Sequence, residues 1–254
     1  LAASTDHRGC ALVTGAARRI GRALALEAAR AGYDIAIHHR DGARDAESLA
    51  REIHQIGRAA AIVHADLAAV HAEDLIGEAR AALGPVTLLV NNASIFEDDR
   101  IGTMTPQAWD THMAVNLRAP VFLAQAMANA LPRDSHGLVV NILDQRVLRP
   151  NPQFFSYALS KAALWDATRT LAQALAPRVR VNGIGPGPTL ASIHQSPGDF
   201  ATEAANVPLA RAVAPEEIAA ALRYLIDAVS VTGQMIAVDA GQHLSWKTPD
   251  IPTP

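Results

Sequence analysis

A chain of 254 residues that is 50% hydrophobic can bury a large core, and its net charge of −3 comes without the basic stripe of a nucleic-acid binder. Cys10 is its one cysteine, which leaves no internal disulfide and no cysteine-based zinc site. No apolar run approaches the roughly 18 residues of a membrane-spanning helix, and the opening LAASTDHRG lacks the basic-then-apolar order of a signal peptide, so a cytoplasmic protein is expected.

Short apolar runs alternate with helical patterns along the chain. CALVT (10–14) precedes RRIGRALALEAARAG, and YDIAIHH (33–39) precedes ARDAESLAREIHQIG. AAAIVHA (59–65) precedes AEDLIGEARAALG, and VTLLVNNAS (86–94) precedes a long helical stretch from Pro106 to about Leu131. GLVVNIL (137–143) leads to the helix that carries Tyr157 and Lys161. RVRVNGIG (178–185) leads to a loop-rich stretch, a helix from Pro215 and a last strand, QMIAVDA (234–240). Apolar strands without period-2 alternation are buried on both faces, which predicts a parallel sheet. Alternation with helices predicts an α/β fold with a doubly wound sheet. No linker, charge block or repeat divides the chain, so one domain over 1–254 is expected.

Ligands of such sheets bind at the carboxyl ends of the strands. Those windows are 14–21, 38–41, Asp66, 91–96, 141–144 and 185–189. In the first, TGAARRIG joins strand to helix: Gly15 permits a tight turn and Gly21 a close approach of helix and strand. The helix start then offers free N–H groups to a phosphate, flanked by Arg18 and Arg19. The second strand ends in HHRDG (38–42), where an NAD enzyme has an acid. Arg40 suits a 2′-phosphate instead and points to NADP; a solvated surface arginine is the plain alternative. The ten histidines show no ligand spacing, so no metal is expected.

Tyr157 and Lys161 share a helix face, so both can point into one cleft. A nearby ammonium is expected to lower the tyrosine pKa and make it a better acid. Together, TGAARRIG, NNAS, Asn116 in AVNLRAP, YALSK and VNGIGPG resemble the short-chain dehydrogenase/reductase family over nearly the whole chain, to VTGQMIAVDAGQHLS at 231–245. The resemblance implies a Rossmann-type domain with a seven-stranded sheet, NAD(P) binding, and Asn116, Tyr157 and Lys161 in a proton relay.

Asp144 stands where that family usually has a serine that polarises a carbonyl oxygen. A carboxylate there suits a substrate with N–H donors. The pteridine reductases are similar at this position, at Arg19 in place of the middle glycine, and at NNASIF, where an aromatic closely follows NNAS. This closer resemblance implies that Phe96 stacks on a pterin ring and that Ser94 and Arg19 contact pterin and cofactor phosphates. It implies that Asp144 and Tyr157 face the reacting edge. His39 and Arg40 would hold the adenosine ribose-phosphate, with Asp66 and Leu67 near the adenine. Gly15, Ile20, Gly21, Asn92, Ala93, Lys161, Pro186 and Gly187 would line the cofactor. A substrate loop is placed at about 186–212, where PTLASIHQSPGDF has no distinctive match. EDDR (97–100) is most simply a solvated loop. The expected function is NADPH-dependent reduction of a pterin C=N bond in folate metabolism. The alternatives are a carbonyl reductase of the same fold and a catalytically silent NADP-binding sensor or scaffold. The family resemblance implies a homotetramer, for which Ala158, Ala162 and Ala163 offer a small-residue helix face.

Overall fold

The computed structural model describes residues 7–192 and 195–246. The start of the N-terminal segment (1–6), Ile193 and His194 of the expected substrate loop, and the tail 247–254 lie outside the described residues. Seven parallel strands form one sheet: β1 (Cys10–Val13), β2 (Asp34–His39), β3 (Ala60–His64), β4 (Val86–Asn91), β5 (Gly137–Ile142), β6 (Val179–Pro186) and β7 (Met235–Val238). Their order is β3-β2-β1-β4-β5-β6-β7, the doubly wound Rossmann-type arrangement expected. It reverses direction between β1 and β4, which opens a crevice above the carboxyl ends of those strands.

Alternate residues of each central strand enter opposite cores. Ala11 and Val13 of β1 join Leu138 and Val140 of β5 on one face, packed under α1 (Arg19–Arg30), α2 (Ala43–Gln55) and α8 (Pro215–Asp227). Leu12 and Val139 enter the other, with Leu75 of α3 (Ala72–Leu83) and Leu123 and Met127 of α5 (Ala119–Ala130). Burial on both faces explains why the strands read as continuous apolar runs.

Two elements depart from the expectation. The helical stretch from Pro106 is divided: α4 (Pro106–Met113) passes through a π-helical turn, Ala114–Arg118, before α5. Pro120, near the start of α5, has no N–H for the Asn116 carbonyl, and its ring would press on that carbonyl in a regular helix. The widened turn relieves the clash and turns Asn116 inward. The stretch after β6 is not wholly loop: α7 (Pro197–Ala205) starts at a capping box in which Ser196 accepts from Asp199 N–H while Asp199 accepts from Ser196 N–H. Ser-Pro-Gly-Asp reads as a turn, yet it also carries the Ser-x-x-acid cap and a proline in the first turn.

The turn from β1 to α1 is closed by glycine alone. Gly15 has φ +62°, and a Cβ on Gly21 would lie 2.1 Å from the Gly15 carbonyl oxygen and 2.6 Å from Asn92 Nδ2. One obstacle belongs to the turn itself and the other to the residue after β4 that braces it. Gly21→Ala is therefore expected to destabilise the fold by roughly 1–3 kcal/mol, read as a lower denaturant midpoint; an unchanged midpoint would show that the turn has slack.

Candidate active site

Asn92 fastens the glycine turn to the end of β4. Its Nδ2 donates to the Thr14 and Gly15 carbonyls at 2.9 and 3.1 Å, while Thr14 Oγ1 accepts from the Asn92 and Ala93 N–H groups at 2.9 and 3.0 Å. His38 fastens it to β2. The Gly15 N–H donates to His38 Nδ1 at 3.0 Å, so the ring proton sits on Nε2, which donates to the Ala65 carbonyl at 3.1 Å. Burial pulls the His38 pKa down to about 4.

A cavity of about 460 Å³ lies over this turn. It is lined by Gly15, Arg19, Ile20, Gly21, His39, Arg40, Asp66, Leu67, Asn92, Ala93 and Ser94 from the expected cofactor set, and also by Arg18 and Gly42. Arg40 donates to the neighbouring Asp41 at 2.6 Å and Arg18 pairs with Asp45, so both cations are held at the rim by carboxylates. His39 is buried, and its Nδ1 has no hydrogen-bond partner among the described residues. An orphan ring nitrogen beside arginines, over a turn that admits no Cβ, fits a nucleotide whose ribose or phosphate oxygens complete it.

A second cavity, about 750 Å³, adjoins the first, and Arg19, Ile20, Asn92 and Ser94 line both. Phe96, Asp144, Tyr157, Lys161, Pro186 and Gly187 line the second. Tyr157, in the first turn of α6 (Phe155–Leu175), donates its hydroxyl proton to Asp144 Oδ2 at 2.8 Å. Asp144 Oδ1 accepts from the Arg146 N–H at 2.8 Å, which caps the 3₁₀ turn Gln145–Val147. Lys161 Nζ donates to the Ile142 carbonyl at 2.7 Å. Asn116 lines neither cavity. It donates to the Ile95 carbonyl and Ser160 Oγ and accepts from Ser94 Oγ and the Ile95 N–H, all within 3.1 Å.

The tyrosine shift runs opposite to the one expected from a neighbouring lysine. Burial first, then the Asp144 charge and hydrogen bond, drive the Tyr157 pKa well above 10. The cation that opposes this is Arg146. Burial pulls Lys161 down to about 8 while Asp144 raises it. Tyr157 is thus a firmly protonated phenol held by a carboxylate.

Sequence reasoning missed several residues here. Phe96 stacks on Phe154 (centroids 4.0 Å, interplanar 19°) and meets Tyr157 edge-on (4.7 Å, 81°). The Arg146 guanidinium lies 5.5 and 5.2 Å from the two phenylalanine ring centroids. Arg19, in the left-handed region at φ 53°, keeps the glycine-like backbone of its position. Its guanidinium donates to the Leu190 and Ala191 carbonyls, both at 3.1 Å, linking the glycine turn to the stretch after β6. Glu203 accepts from Gln195 and Gln242 at the outer wall. EDDR is not wholly solvated: Asp99 is 5% exposed.

Residues 15–243 match the family model described as enoyl-(acyl carrier protein) reductase. The FolM alternative dihydrofolate reductase 1 of Brucella canis, solved as a complex with NADP, is 51% identical, with a TM-score of 0.93 over 96% of this chain and 98% of that one. The angucycline C-6 ketoreductase LanV with bound NADP is 30% identical, with a TM-score of 0.86 over 94% and 97%. The 3-oxoacyl-[acyl-carrier-protein] reductase FabG of Staphylococcus epidermidis is 30% identical over 240 residues, 92% of this chain and 98% of that protein.

The neutral His38 makes acid stability testable. Unfolded, this histidine takes up a proton near pH 6.5; folded, it resists until about pH 4. The unfolded state therefore binds more protons between those values, and stability falls as pH drops from 6.5 to 4, by up to about 3 kcal/mol. Urea unfolding across that range should show the loss, and His38→Gln should flatten it; an equal slope in the variant would remove His38 from the account.

Proposed function

The chain belongs to the short-chain dehydrogenase/reductase family and is an NADP-dependent reductase, and from that premise we propose that its substrate is a pteridine, reduced at a ring C=N bond. The observation that carries this reading is the 2.8 Å bond from the Tyr157 hydroxyl to Asp144. The 51% identity to the FolM alternative dihydrofolate reductase supports it.

His39 and Arg40 would hold the ribose-phosphate of NADPH, with Asp66 and Leu67 by the adenine. The glycine turn with Arg19, Ile20, Asn92, Ala93, Pro186 and Gly187 would hold the rest. When bound, NADPH supplies the hydride. The protein's own task is then to orient the ring and deliver one proton to its nitrogen. Asp144 retains lone pairs for the amino and ring N–H donors of a pterin, a charge-assisted contact that fixes the reacting edge. Phe96, backed by Phe154, offers an aromatic wall for the ring.

Tyr157 stands within reach of the same edge. Its phenolate beside Asp144 would join two negative charges in a buried site, so Tyr157 passes a proton to the substrate nitrogen only as another is returned to it. Tyr157 is a conduit: the proton returned to it comes from solvent, through a water held by the Asp144 carboxylate. Lys161, Asn116 and Ser160 hold the base of this relay. A ketone fares worse: its oxygen gains negative charge as the hydride arrives, and Asp144 repels it. One domain, with residues 186–212 as its substrate loop, would carry both cavities. The half-buried Ala158, Ala162 and Ala163 face supports assembly as a homotetramer.

The FabG and LanV likenesses favour a second reading, carbonyl reduction, which Asp144 separates from the first. Asp144→Ser removes the carboxylate and supplies a hydroxyl donor. It should cut kcat/KM for a dihydropterin by roughly a hundredfold while leaving an activated ketone unchanged or faster. Unchanged dihydropterin turnover in the variant would overturn the pteridine reading and leave the ketone one.

A further inference from the structure

Among the polar side chains buried outside both cavities and outside the relay, Asp99, His112 and Ser156, which are 5%, 0% and 0% exposed, meet one another. They come from three separate places: the loop after β4, the end of α4, and the first turn of α6. We propose that they form a positioning set that holds Phe96 and Tyr157 in register on one wall of the substrate cavity. The proposal rests on those two residues facing the substrate, as argued above; it does not depend on which substrate that is.

The hydrogen bonds give the set a direction. The Glu97 N–H donates to His112 Nε2 at 3.2 Å, so that nitrogen carries no proton. The ring proton is therefore on Nδ1, 2.7 Å from Ser156 Oγ and 3.0 Å from the Ala108 carbonyl. Ser156 Oγ, receiving from the histidine, donates its own proton to Asp99 Oδ2. Asp99 Oδ1 accepts from the Ser156 N–H at 3.0 Å, and the Asp99 carbonyl accepts from the Phe155 N–H at 3.1 Å. The chain of donors runs His112 to Ser156 to Asp99. Ser156 faces no proton acceptor other than Asp99 and meets a donor nitrogen of the histidine, so this is not a hydrolytic nucleophile.

Its geometry matters because of what it joins. The N-cap of α6 is Phe154, which has no side-chain oxygen to offer the first-turn N–H groups. Asp99 supplies that cap from a distant loop. The next residue, Tyr157, is thereby fixed where its hydroxyl reaches Asp144. At its other end the set holds Glu97 N–H, the residue after Phe96. Phe96 and Tyr157 are thus tied to one network on both sides of their 4.7 Å edge-to-face contact.

Asp99→Asn tests this with almost no change of volume. The amide can still accept from Ser156 N–H, but its Nδ2 then points a donor at Ser156 Oγ. Ser156 must turn its proton to His112 Nδ1, and the histidine must move its own proton to Nε2. There it meets the Glu97 N–H, donor against donor. The experiment is 15N spectroscopy of the full chain labelled at histidine, with the His112 signals assigned from their loss in His112→Gln. The unmodified protein should show His112 in the Nδ1–H tautomer, and Asp99→Asn should convert it to Nε2–H. Steady-state NADPH oxidation is measured alongside, with whichever of a dihydropterin or an activated ketone the unmodified enzyme reduces faster. Asp99→Asn should lower kcat by roughly ten- to a hundredfold, with NADPH affinity unchanged. Ser156→Ala, which removes the middle link and is the milder change for folding, should also lower kcat, and the double variant should lose less than the product of the two. A purely structural role would lower the unfolding temperature and leave kcat per folded enzyme as it was. An Nε2–H or charged His112 in the unmodified protein would overturn the proposal. So would full kcat in folded Asp99→Asn and Ser156→Ala.

Discussion

A buried tyrosine hydroxyl held by a carboxylate sets the terms for everything around it. The 2.8 Å bond between Tyr157 and Asp144 needs the end of β5, the first turn of α6 and the loop after β4 to meet at one point. It also fixes the electrostatics. Burial alone raises a phenol's pKa, and an adjoining carboxylate raises it further. A serine at position 144 would leave the tyrosine as a donor to a ground-state carbonyl oxygen. Aspartate makes the same corner an acceptor for N–H groups, beside a phenol that stays protonated.

The sheet makes such a corner possible. Its central strands are buried on both faces, which confines polar side chains to the strand ends. Asn92, Asp144 and Gly187 each follow a strand, and the reversal between β1 and β4 brings their turns around one cleft. Arg19 then joins the two halves of the cleft. It occupies a left-handed backbone position at the glycine turn and holds the Leu190 and Ala191 carbonyls after β6. A guanidinium in that place lines both cavities together.

Most of the strand pattern, and the gathering of most of the expected cofactor residues around one cavity, was legible in the sequence, because both follow from local rules. Apolar runs mark doubly buried strands, and glycine marks the turn where a Cβ would strike a backbone oxygen. What stayed hidden depends on contacts between distant segments. Asp99 sits in EDDR, which has the composition of a solvated loop, yet it is buried as the cap of a helix more than fifty residues further on. Phe154 and Arg146 carry no pattern that foretells their packing on Phe96. The sign of the Tyr157 shift was misjudged because helical spacing places Lys161 on the tyrosine's face, while the group that bonds the hydroxyl comes from the turn after β5. The π-turn at Asn116 was readable only from Pro120, four residues later.

The central claim is that an aspartate bonded to the relay tyrosine selects substrates that end in nitrogen. Its most direct test is steady-state NADPH oxidation by the unmodified enzyme, with dihydropterins, dihydrofolate and a few activated ketones measured side by side. The account predicts that kcat/KM for at least one dihydropterin or for dihydrofolate exceeds that of every ketone in the set. Ketone reduction far faster than reduction of any pterin or of dihydrofolate would contradict it.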